Sequence, residues 1–513
     1  MLSKTGRYPR IWRVFALLMI AVVGIVSTIA SSSGGSGGTP PMATITSPPN
    51  GFETEDDLLT VTGTASDETG IFRIQVNGVD ATSSDRFATW QAVVPIVEGP
   101  NTLTVRAVDT LGFADSSADQ VNVILTPAPP LATVTFPPLN SFSDADSLTV
   151  TGTATDRSGV ASVSVNGVDA EPLGPQGDEF ATWRAVVPLT MNTENTLTVA
   201  TVDAVGFDDP AAAVVTVQVA ADVSGSAVTF GDGYAVALDG NRAYVVDFDL
   251  DQLLEVNLDT GVKVVISDAV TGGGRALSGP DGIALINGGT TALVSNYLPD
   301  ELLSIDLVSG QRTIVSSAAA NVGSGPTLFG PSGIGLVDVD RAIVSNLAAD
   351  DILDVDLTSG NRAILSADGT RGSGPSFLQP DGIAMESSRR ALVTDALAVA
   401  VFAVDVSTGD RTVLSDAATG SGPLFTRPVG ITLNSDNSRA LVTDYDANLL
   451  ISVTVSNGFR RILSDAATDV GTGPAFIFPA GIALDAANNR AVVSGGNLIV
   501  VELSSGDRVV VGP

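Results

Sequence analysis

Short stretches in which apolar and polar residues alternate run through most of the chain. Residues 71–76 (IFRIQV) and 103–108 (LTVRAV) show this two-residue period, which is typical of β-strands that place one face against a core. Turn sequences such as DETG at 67–70 and NG at 77–78 separate the stretches. The pattern therefore predicts an all-β chain built from many short strands, and long helices are not expected.

Two related modules occupy the first part of the chain. The segments that they share are TVTGTA at 60–65 and 149–154, FATWQAVVP at 87–95 and FATWRAVVP at 180–188. Each module combines about seven predicted strands within roughly 85 residues, which is the size of a β-sandwich. We expect the sandwiches to span residues 42–127 and 131–220. The proline-rich segment TPAPP at 126–130 predicts a stiff, extended connection between them.

The shared series VTGTA, VNGV, FATW and NTLTV resembles bacterial immunoglobulin-like modules of the glucodextranase domain B type. The resemblance covers residues 42–220 and implies sandwiches that serve as spacers or as adhesive and carbohydrate-contacting appendages. Trp90 and Trp183 lie within the repeated FATW segments. An exposed tryptophan could stack on a sugar ring, but both residues sit in the middle of alternating strands. Their position therefore favours packing in the core.

A second repeat, of about 49 residues, fills the rest of the chain. Each copy begins with a glycine followed by an apolar strand: Gly233, Gly282, Gly333, Gly382, Gly430 and Gly481. Three further short strands follow, with Ser-Gly, Thr-Gly or Asn-Gly at the turn before the last one. Four antiparallel strands in each of six copies predict a six-bladed β-propeller over residues 223–513.

Two features recur at fixed places in these copies. In five of them a proline stands two residues before the first glycine, and in three of them the second strand ends in Val-x-Asp. This pattern resembles NHL repeats and the related six-bladed propellers of the gluconolactonase and regucalcin group. That superfamily includes hydrolases, lyases and binding scaffolds. The resemblance therefore implies the fold and leaves the activity open.

The amino terminus has the features of a signal peptide. Basic residues Lys4, Arg7, Arg10 and Arg13 precede an apolar run over residues 14–29, and small residues at Thr28 and Ala30 suit signal peptidase. We expect residues 1–30 to be removed and residues 31–41 to form a flexible Gly/Ser linker. The chain would then be secreted, periplasmic or bound to the cell surface. The alternative is an uncleaved membrane anchor, for which an apolar run of about 16 residues is short.

The composition excludes several classes of partner and chemistry. The chain has 57 acidic and 25 basic residues, a net charge of −32, which opposes binding to nucleic acid. It has neither cysteine nor histidine, so disulfides, thiol nucleophiles, histidine bases and zinc sites built from these residues are excluded. Any metal would be a hard ion bound by oxygen, with calcium or magnesium expected.

A candidate site follows from the order of strands in a blade. If the first strand lines the central channel, the ends of the second strands meet on one face together with the long loops between blades. The residues at those ends are Asp247, Asn296, Asn346, Asp395 and Asp444. Their oxygens could contact a ligand or coordinate calcium. The same side chains also cap turns by accepting hydrogen bonds from backbone amides, so both roles stay open.

The resemblance adds a specific form of this site. In gluconolactonase-like enzymes a calcium ion polarises the substrate carbonyl, and Asp395 and Asp444 would be the matching carboxylates here. The sixth copy has Gly495 at the equivalent position. We therefore expect an exported binding protein whose propeller face recognises an extracellular protein or carbohydrate and is carried on an immunoglobulin-like stalk. The alternative is a calcium-dependent, lactonase-like hydrolase.

Overall fold

A computed structural model describes residues 39–126, 128–204, 206, 208, 212–219, 231, 233–468 and 470–511. The predicted signal peptide, residues 1–30, lies outside these residues, as does most of the predicted linker at 31–41. The chain divides into two compact units, Met1–Thr126 and Pro127–Pro513. In the described ranges the regular structure is strand with a few 3-10 turns, which confirms the predicted all-β fold. None of the helical turns within those ranges has the length and apolar character needed to cross a membrane.

The first unit is a β-sandwich of two sheets, ordered β1-β3-β6 and β2-β8-β7-β4-β5. Its strands are β1 (Met42–Ser47), β2 (Phe52–Thr54), β3 (Leu58–Ser66), β4 (Ile71–Val76), β5 (Val79–Asp80), β6 (Thr89–Pro95), β7 (Gly99–Asp109) and β8 (Gln120–Leu125). Alternate residues of these strands, such as Val61, Ile74 and Leu103, form the core between the sheets. The alternation in the sequence therefore becomes the inner and outer faces of the sandwich.

The second sandwich repeats this arrangement within the second unit. Its strands are β9 (Leu131–Phe136), β10 (Ser141–Ser143), β11 (Ser147–Thr155), β12 (Val160–Val165), β13 (Val168–Asp169), β14 (Glu171–Pro172), β15 (Trp183–Pro188), β16 (Thr193–Asp203) and β17 (Val214–Val219), with a 3-10 turn at Glu179–Ala181. One sheet is ordered β14-β15-β11-β9. Trp183 lies in its core and is fully buried. Trp90 has the same place in the first sandwich.

Six four-stranded blades follow in the described part of the second unit. They are β18 (Gly233–Asp239), β19 (Arg242–Asp247), β20 (Gln252–Asn257) and β21 (Lys263–Ser267); β22 (Pro280–Ile286), β23 (Thr291–Asn296), β24 (Glu301–Asp306) and β25 (Arg312–Ser317); β26 (Pro331–Asp338), β27 (Arg341–Asn346), β28 (Asp351–Asp356) and β29 (Arg362–Ser366); β30 (Pro380–Ser387), β31 (Arg390–Asp395), β32 (Ala400–Asp405) and β33 (Arg411–Ser415); β34 (Pro428–Leu433), β35 (Arg439–Asp444), β36 (Leu449–Thr454) and β37 (Arg460–Asp465); β38 (Ile482–Asp485), β39 (Arg490–Val493), β40 (Ile499–Glu502) and β41 (Arg508–Val511). Short 3-10 turns lie at Asn287–Gly289, Leu347–Ala349 and Ala486–Asn488. The six-bladed propeller predicted from the repeats is confirmed.

The ring closes through its innermost strands. The first strand of blade one, β18, packs against the first strand of blade six, β38. The amide of Gly233 also donates to the carbonyl of Gly495 across this junction at 3.2 Å. Among the described residues, each blade consists of four strands that are consecutive in the chain. The first and last blades therefore meet by packing, and they share none of the described strands.

In blades two to six, a buried arginine joins each blade to the one before it. Arg411, the first residue of β33, donates from Nε to the carbonyl of Pro375 at 2.7 Å and from Nη1 to Oγ of Ser366 at 2.8 Å. Its guanidinium also lies 5.2 Å from the ring centroid of Phe377. The arginines that make this contact are Arg312, Arg362, Arg411, Arg460 and Arg508. Each charge is buried with hydrogen-bond acceptors around it, as a buried charge requires.

The second sandwich is joined to the propeller by shared strand pairing. Strand β10 pairs in parallel with β17 of the sandwich and antiparallel with β41, the outer strand of blade six. Asp507 accepts a hydrogen bond from the amide of Thr149 at 2.7 Å, and Arg490 donates to the carbonyl of Thr135 at 3.0 Å. One continuous sheet therefore runs from the sandwich into the sixth blade. The second module belongs to the same compact unit as the propeller.

Candidate functional site

The five polar residues predicted at the second-strand ends lie there and are buried. They are Asp247, Asn296, Asn346, Asp395 and Asp444. Each one faces the loop that leads into the first strand of its own blade, which we call the leading loop. In every blade from the second to the fifth, the start of the first strand pairs with the end of the second. The five residues therefore share one face of the propeller, as the strand order predicts.

The two residues predicted as calcium ligands hold their leading loops. Asp395 accepts hydrogen bonds from the amides of Leu378 at 2.8 Å, Gln379 at 3.0 Å and Ala398 at 2.8 Å. Asp444 makes the equivalent bonds in blade five. Both oxygens of each carboxylate are engaged by backbone amides. A calcium ion at either residue would have to displace these contacts.

The asparagines in blades two and three hold their turns with a different partner. Asn296 donates from Nδ2 to Oε1 of Glu301 at 3.0 Å, and Asn346 donates to Oδ1 of Asp351 at 2.9 Å. Glu301 and Asp351 are the first residues of the third strands. Burial raises the pKa of Asp351, and the hydrogen bond from Asn346 partly offsets this effect. In these two blades the carboxylate belongs to the first residue of the third strand, whereas in blades four and five it belongs to the last residue of the second strand.

In each of these five blades, the last residue of the second strand and the first residue of the third strand form a pair, and one member of each pair is a carboxylate. Where the second strand ends in aspartate, the third strand begins with a residue that has no charge: Gln252, Ala400 or Leu449. Where it ends in asparagine, the third strand begins with an acid. The exchange between aspartate and asparagine in the repeats is explained by this pairing. The geometry gives these residues a capping role in the fold.

A different set of polar residues faces the central channel. Asp281, Ser332 and Asp381 occupy the position between proline and glycine in the Pro-x-Gly segments of blades two to four. The hydroxyl of Ser332 lies 2.6 Å from Oδ1 of Asp281 and 2.7 Å from Oδ1 of Asp381. All three side chains are buried. We call these residues the mouth triad. Asp232, the residue of the first copy at this position, lies outside the described residues.

The local backbone explains why the mouth triad points inward. The pairing of β22 with β23 shifts register between Pro280 and Ile283, and such a bulge redirects side chains. The amide of Gly282 donates to Oγ of Ser295 at 2.6 Å, and that hydroxyl lies 2.7 Å from the carbonyl of Ser332 in the next blade. A Cβ on Gly282 would lie 2.1 Å from the same carbonyl. Glycine is therefore needed where neighbouring blades meet.

Within the mouth triad, one hydroxyl group lies at hydrogen-bond distance from two carboxylates. The single hydroxyl proton of Ser332 can be donated to Asp281 or to Asp381, but not to both. Burial raises the pKa of Asp381 to about 6, although the hydrogen bond from Ser332 and the positive charge of Arg427 oppose this rise. The arrangement favours either a protonated carboxyl group or a positively charged group beside it.

Aromatic side chains surround this position. The innermost strands enclose a cavity of about 90 Å³ that Tyr234, Asp281 and Asp381 help to line. Phe248 lies 5.0 Å from Tyr234 and 5.8 Å from Tyr297 between ring centroids. Between blades five and six, Tyr445 stacks on Phe478 at 5.1 Å, and the guanidinium of Arg427 lies 4.7 Å from the Tyr445 ring. The channel mouth therefore combines carboxylates with aromatic surfaces.

The side chains at the mouth do not by themselves fit a calcium ion. Calcium takes six to eight oxygen ligands, several of them carboxylates. Within the described ranges, no three acidic residues come together in a group that could hold a metal. The mouth triad supplies two carboxylates with a hydroxyl at hydrogen-bond distance between them. These side chains therefore do not by themselves support a calcium-dependent reaction.

Sequence reasoning placed the five strand-end residues on one face but did not single out the mouth triad. The residue between the proline and the glycine differs between the copies, which carry Asp281, Ser332, Asp381, Val429 and Ala480 there. The sequence nevertheless contained a signal for the mouth triad. Three consecutive repeats have a polar residue at this position, and in each of them it lies between the same proline and glycine. The aromatic residues directly after the second strands, such as Phe248 and Tyr297, were a second signal.

Comparison with known proteins identifies one part of the chain. Residues 41–125 match the family described as Glucodextranase, domain B, in agreement with the resemblance of the first module. No curated protein sequence matches the chain. The resemblance of the propeller to NHL repeats and gluconolactonase-like proteins stays a prediction.

Several solved structures are similar to the chain at low identity. An auxiliary nutrient binding protein from Bacteroides ovatus is 10% identical, with 92% of this chain and 97% of that chain covered and a TM-score of 0.40. A protein of unknown function from Bacteroides thetaiotaomicron is 11% identical over 75% of this chain and 98% of that one, with a TM-score of 0.41. Virginiamycin B lyase from Staphylococcus aureus is 12% identical over 54% and 85%, with a TM-score of 0.38. These similarities are too distant to bear on function.

Proposed function

We propose that this chain is a binding protein whose propeller takes its ligand at the channel mouth. The observation that carries the proposal is the mouth triad, in which the hydroxyl of Ser332 lies within 2.7 Å of both Asp281 and Asp381. Aromatic rings surround this group. Ligand sites are typically concave and combine apolar walls with a few well-placed polar groups. The channel mouth has both features.

Binding is favoured over the rival function, a calcium-dependent, lactonase-like hydrolase. That reaction needs a metal to polarise the carbonyl group of the substrate. Asp395 and Asp444, the residues expected to hold it, bond to the amides of their leading loops. The chain has no histidine or cysteine to act as a base or a nucleophile. The described residues supply recognition groups but no complete catalytic set.

The location of the protein is part of the proposal. The basic and apolar segments at residues 1–30 support export through a signal peptide, so the ligand would be met outside the cytoplasm. The net charge of −32 disfavours nucleic acid and anionic lipid as ligands. The second sandwich would hold the propeller by its sixth blade, at the β10–β41 pairing, and leave the face with the channel mouth for the ligand.

Crystallographic fragment screening tests the site even though the ligand is unidentified. Crystals of the whole chain are soaked with a library of small polar and aromatic compounds. We expect bound fragments to cluster at the channel mouth, and fewer to bind there in an Asp281→Asn, Asp381→Asn variant. An empty mouth with a cluster elsewhere in the molecule would overturn the proposal.

A calcium titration together with a lactone-hydrolysis assay distinguishes a binding protein from a calcium-dependent hydrolase. Calcium chloride is titrated into the whole chain, and turnover of glucono-δ-lactone is followed in the presence and absence of calcium. We expect no calcium-dependent turnover. Lactone hydrolysis that requires calcium and is lost in the Asp395→Ala, Asp444→Ala variant would establish the rival function instead.

A further inference from the structure

Large apolar side chains are exposed around the channel mouth. They are Leu250, Leu298, Phe329, Leu378, Leu397 and Phe478, and each is between 49 and 63% exposed. We call them the mouth rim. Three of them lie in the turns after second strands and three in leading loops, so all belong to the face that carries the mouth triad. Several large apolar side chains exposed on one face favour an interaction surface there.

Hydrogen bonds between neighbouring blades brace the loops that carry the rim. Asp251, in the turn of blade one, accepts from the amide of Gly279 in the leading loop of blade two at 2.7 Å. Asp300 accepts in the same way from Gly330 at 2.8 Å, and Asn448 accepts from Phe478 at 2.8 Å. The rim is thus held in place before any ligand arrives. A preorganised surface loses little conformational entropy on binding.

The same face is acidic. Besides the mouth triad, the turns after the second strands carry Asp249, Asp251, Asp300, Asp350 and Asp446. Burial, and after it the negative charges of Asp281, Asp300 and Asp381, raise the pKa of Tyr297. Arg427, a basic residue on this face, lies over the Tyr445 ring and 4.0 Å from Asp446. The face therefore combines exposed apolar side chains with an excess of negative charge.

We infer that the mouth rim docks a protein segment that presents a lysine or arginine flanked by apolar side chains. The cationic tip would lie against Asp281, Ser332 and Asp381, while its apolar neighbours cover the rim. The inference rests on the proposed function and names its partner. Charge complementarity selects the partner, because an acidic centre within an apolar surface fits a basic centre within an apolar segment.

Other occupants match these observations less well. A carbohydrate needs many hydrogen-bonding groups, whereas the rim presents leucine and phenylalanine. An anionic membrane would be repelled by the net charge of −32. A small amine would satisfy the mouth triad but would leave the rim exposed to water. A protein segment accounts for both the charge and the apolar surface.

Selection from a library of short random peptides displayed on phage tests the inference. The whole chain is the bait, and the enriched sequences are read after several rounds. We expect lysine or arginine with leucine, phenylalanine or similar residues on both sides. Failure to enrich peptides, or enrichment of peptides without a basic residue, would overturn the inference. Fragments clustered at the mouth in such a case would leave the proposed function standing.

The best enriched peptide then serves as a probe for variants in fluorescence polarisation. The Asp281→Asn, Asp381→Asn variant and the Leu298→Ser, Leu397→Ser variant should each bind about tenfold more weakly or worse. Asp340→Asn and Val308→Ser are the matched controls, since both residues are exposed and lie in turns at the opposite ends of their strands. Equal binding by all four variants would overturn the inference. Displacement of the peptide by n-butylamine at an equal concentration would do so too, because it would identify a small amine as the ligand.

Discussion

Trp183 lies across Gly152 on the neighbouring strand, and a Cβ on that glycine would fall 2.3 Å from Cζ2 of the indole ring. The first sandwich has the same relationship between Trp90 and Gly63, with a distance of 2.1 Å. The glycine of the repeated TVTGTA segment therefore makes room for the tryptophan of the repeated FATW segment. Both motifs belong to the core of the sandwich. They are explained by packing and need no sugar ligand.

Substitution of Gly152 by alanine should destabilise the second sandwich. The added methyl group would clash with the indole and with the carbonyl of Thr133, which lies 2.0 Å from the Cβ position. We expect a loss of about 2–3 kcal/mol in the free energy of unfolding. Urea unfolding followed by tryptophan fluorescence measures it. Ser162→Ala, at an exposed position of β12, is the control, and equal stability of the two variants would contradict the packing argument.

The joint between the second sandwich and blade six should depend on Phe142. This residue pairs with Val510 of β41 and packs against the core of the sixth blade. Phe142→Glu would place a charge there and should lower the stability of the joint by about 2 kcal/mol or more. We expect a lower melting temperature and faster proteolysis between the module and the propeller. The first module has Glu53 at the equivalent position.

That difference between the modules supplies the matched control for the Phe142 prediction. Glu53 lies on the three-residue strand β2, which corresponds to β10. Glu53→Phe should leave the melting temperature of the propeller unit unchanged. If Phe142→Glu left proteolysis and melting unaltered as well, the pairing of β10 with β41 would not hold the module in place.

The carboxylate at the end of a second strand should be replaceable by one at the start of the third strand. Asp395→Asn alone would place an amide group opposite Ala400, which has no side-chain acceptor. We expect a loss of about 1–3 kcal/mol in the free energy of unfolding. Adding Ala400→Asp recreates the pair seen in Asn346 and Asp351 and should restore part of the loss. Urea unfolding of both single variants and the double variant measures the coupling energy, and purely additive effects would refute it.

The mouth triad should make stability depend on pH in a predictable direction. Burial raises the pKa of Asp381 to about 6 in the folded chain, whereas an unfolded aspartate titrates near 3.9. Between about pH 4 and pH 6 the folded state therefore binds more protons at this group, so its contribution to stability falls as the pH rises. In the Asp381→Asn variant this position does not titrate, so the pH-dependent loss of stability is absent. Relative to the parent chain, the variant should gain stability from pH 4 to pH 7, by an amount on the order of 1 kcal/mol.

Urea midpoints at several pH values between 4 and 7 measure this difference. Asp340→Asn, at an exposed residue, should keep a constant difference from the parent chain over the same range. A constant difference for Asp381→Asn as well would show that burial does not raise the pKa of that carboxyl group.

The sequence predicted the fold well because the repeats are local signals. The first glycines, the alternating strands and the turn glycines each act within a few residues. Gly310 and Gly458, for example, have the positive φ expected of their turns. The shared face of the five strand-end residues also followed from strand order alone. These parts of the structure need no information about contacts between distant residues.

The mouth triad and the joint at β10 depend on such distant contacts. Asp281, Ser332 and Asp381 are some 50 residues apart in sequence and meet only because the blades close into a ring. Strand β10 has three residues, too few to show a period. Its pairing with β41 joins segments from opposite ends of the second unit. Only the exchange of Glu53 for Phe142 between the modules marked it in the sequence.

The hydrogen bonds that Asp251 accepts from Gly279 and Asp300 accepts from Gly330 also determine which segments of the propeller could be transplanted as units. Each pair joins the turn of one blade to the first strand of the next. A segment that carries one part of the mouth rim with its hydrogen bonds intact therefore begins and ends in the middle of blades. Transplanting whole blades between propellers would separate these pairs. Grafts that run from the second strand of one blade to the first strand of the next would keep them together.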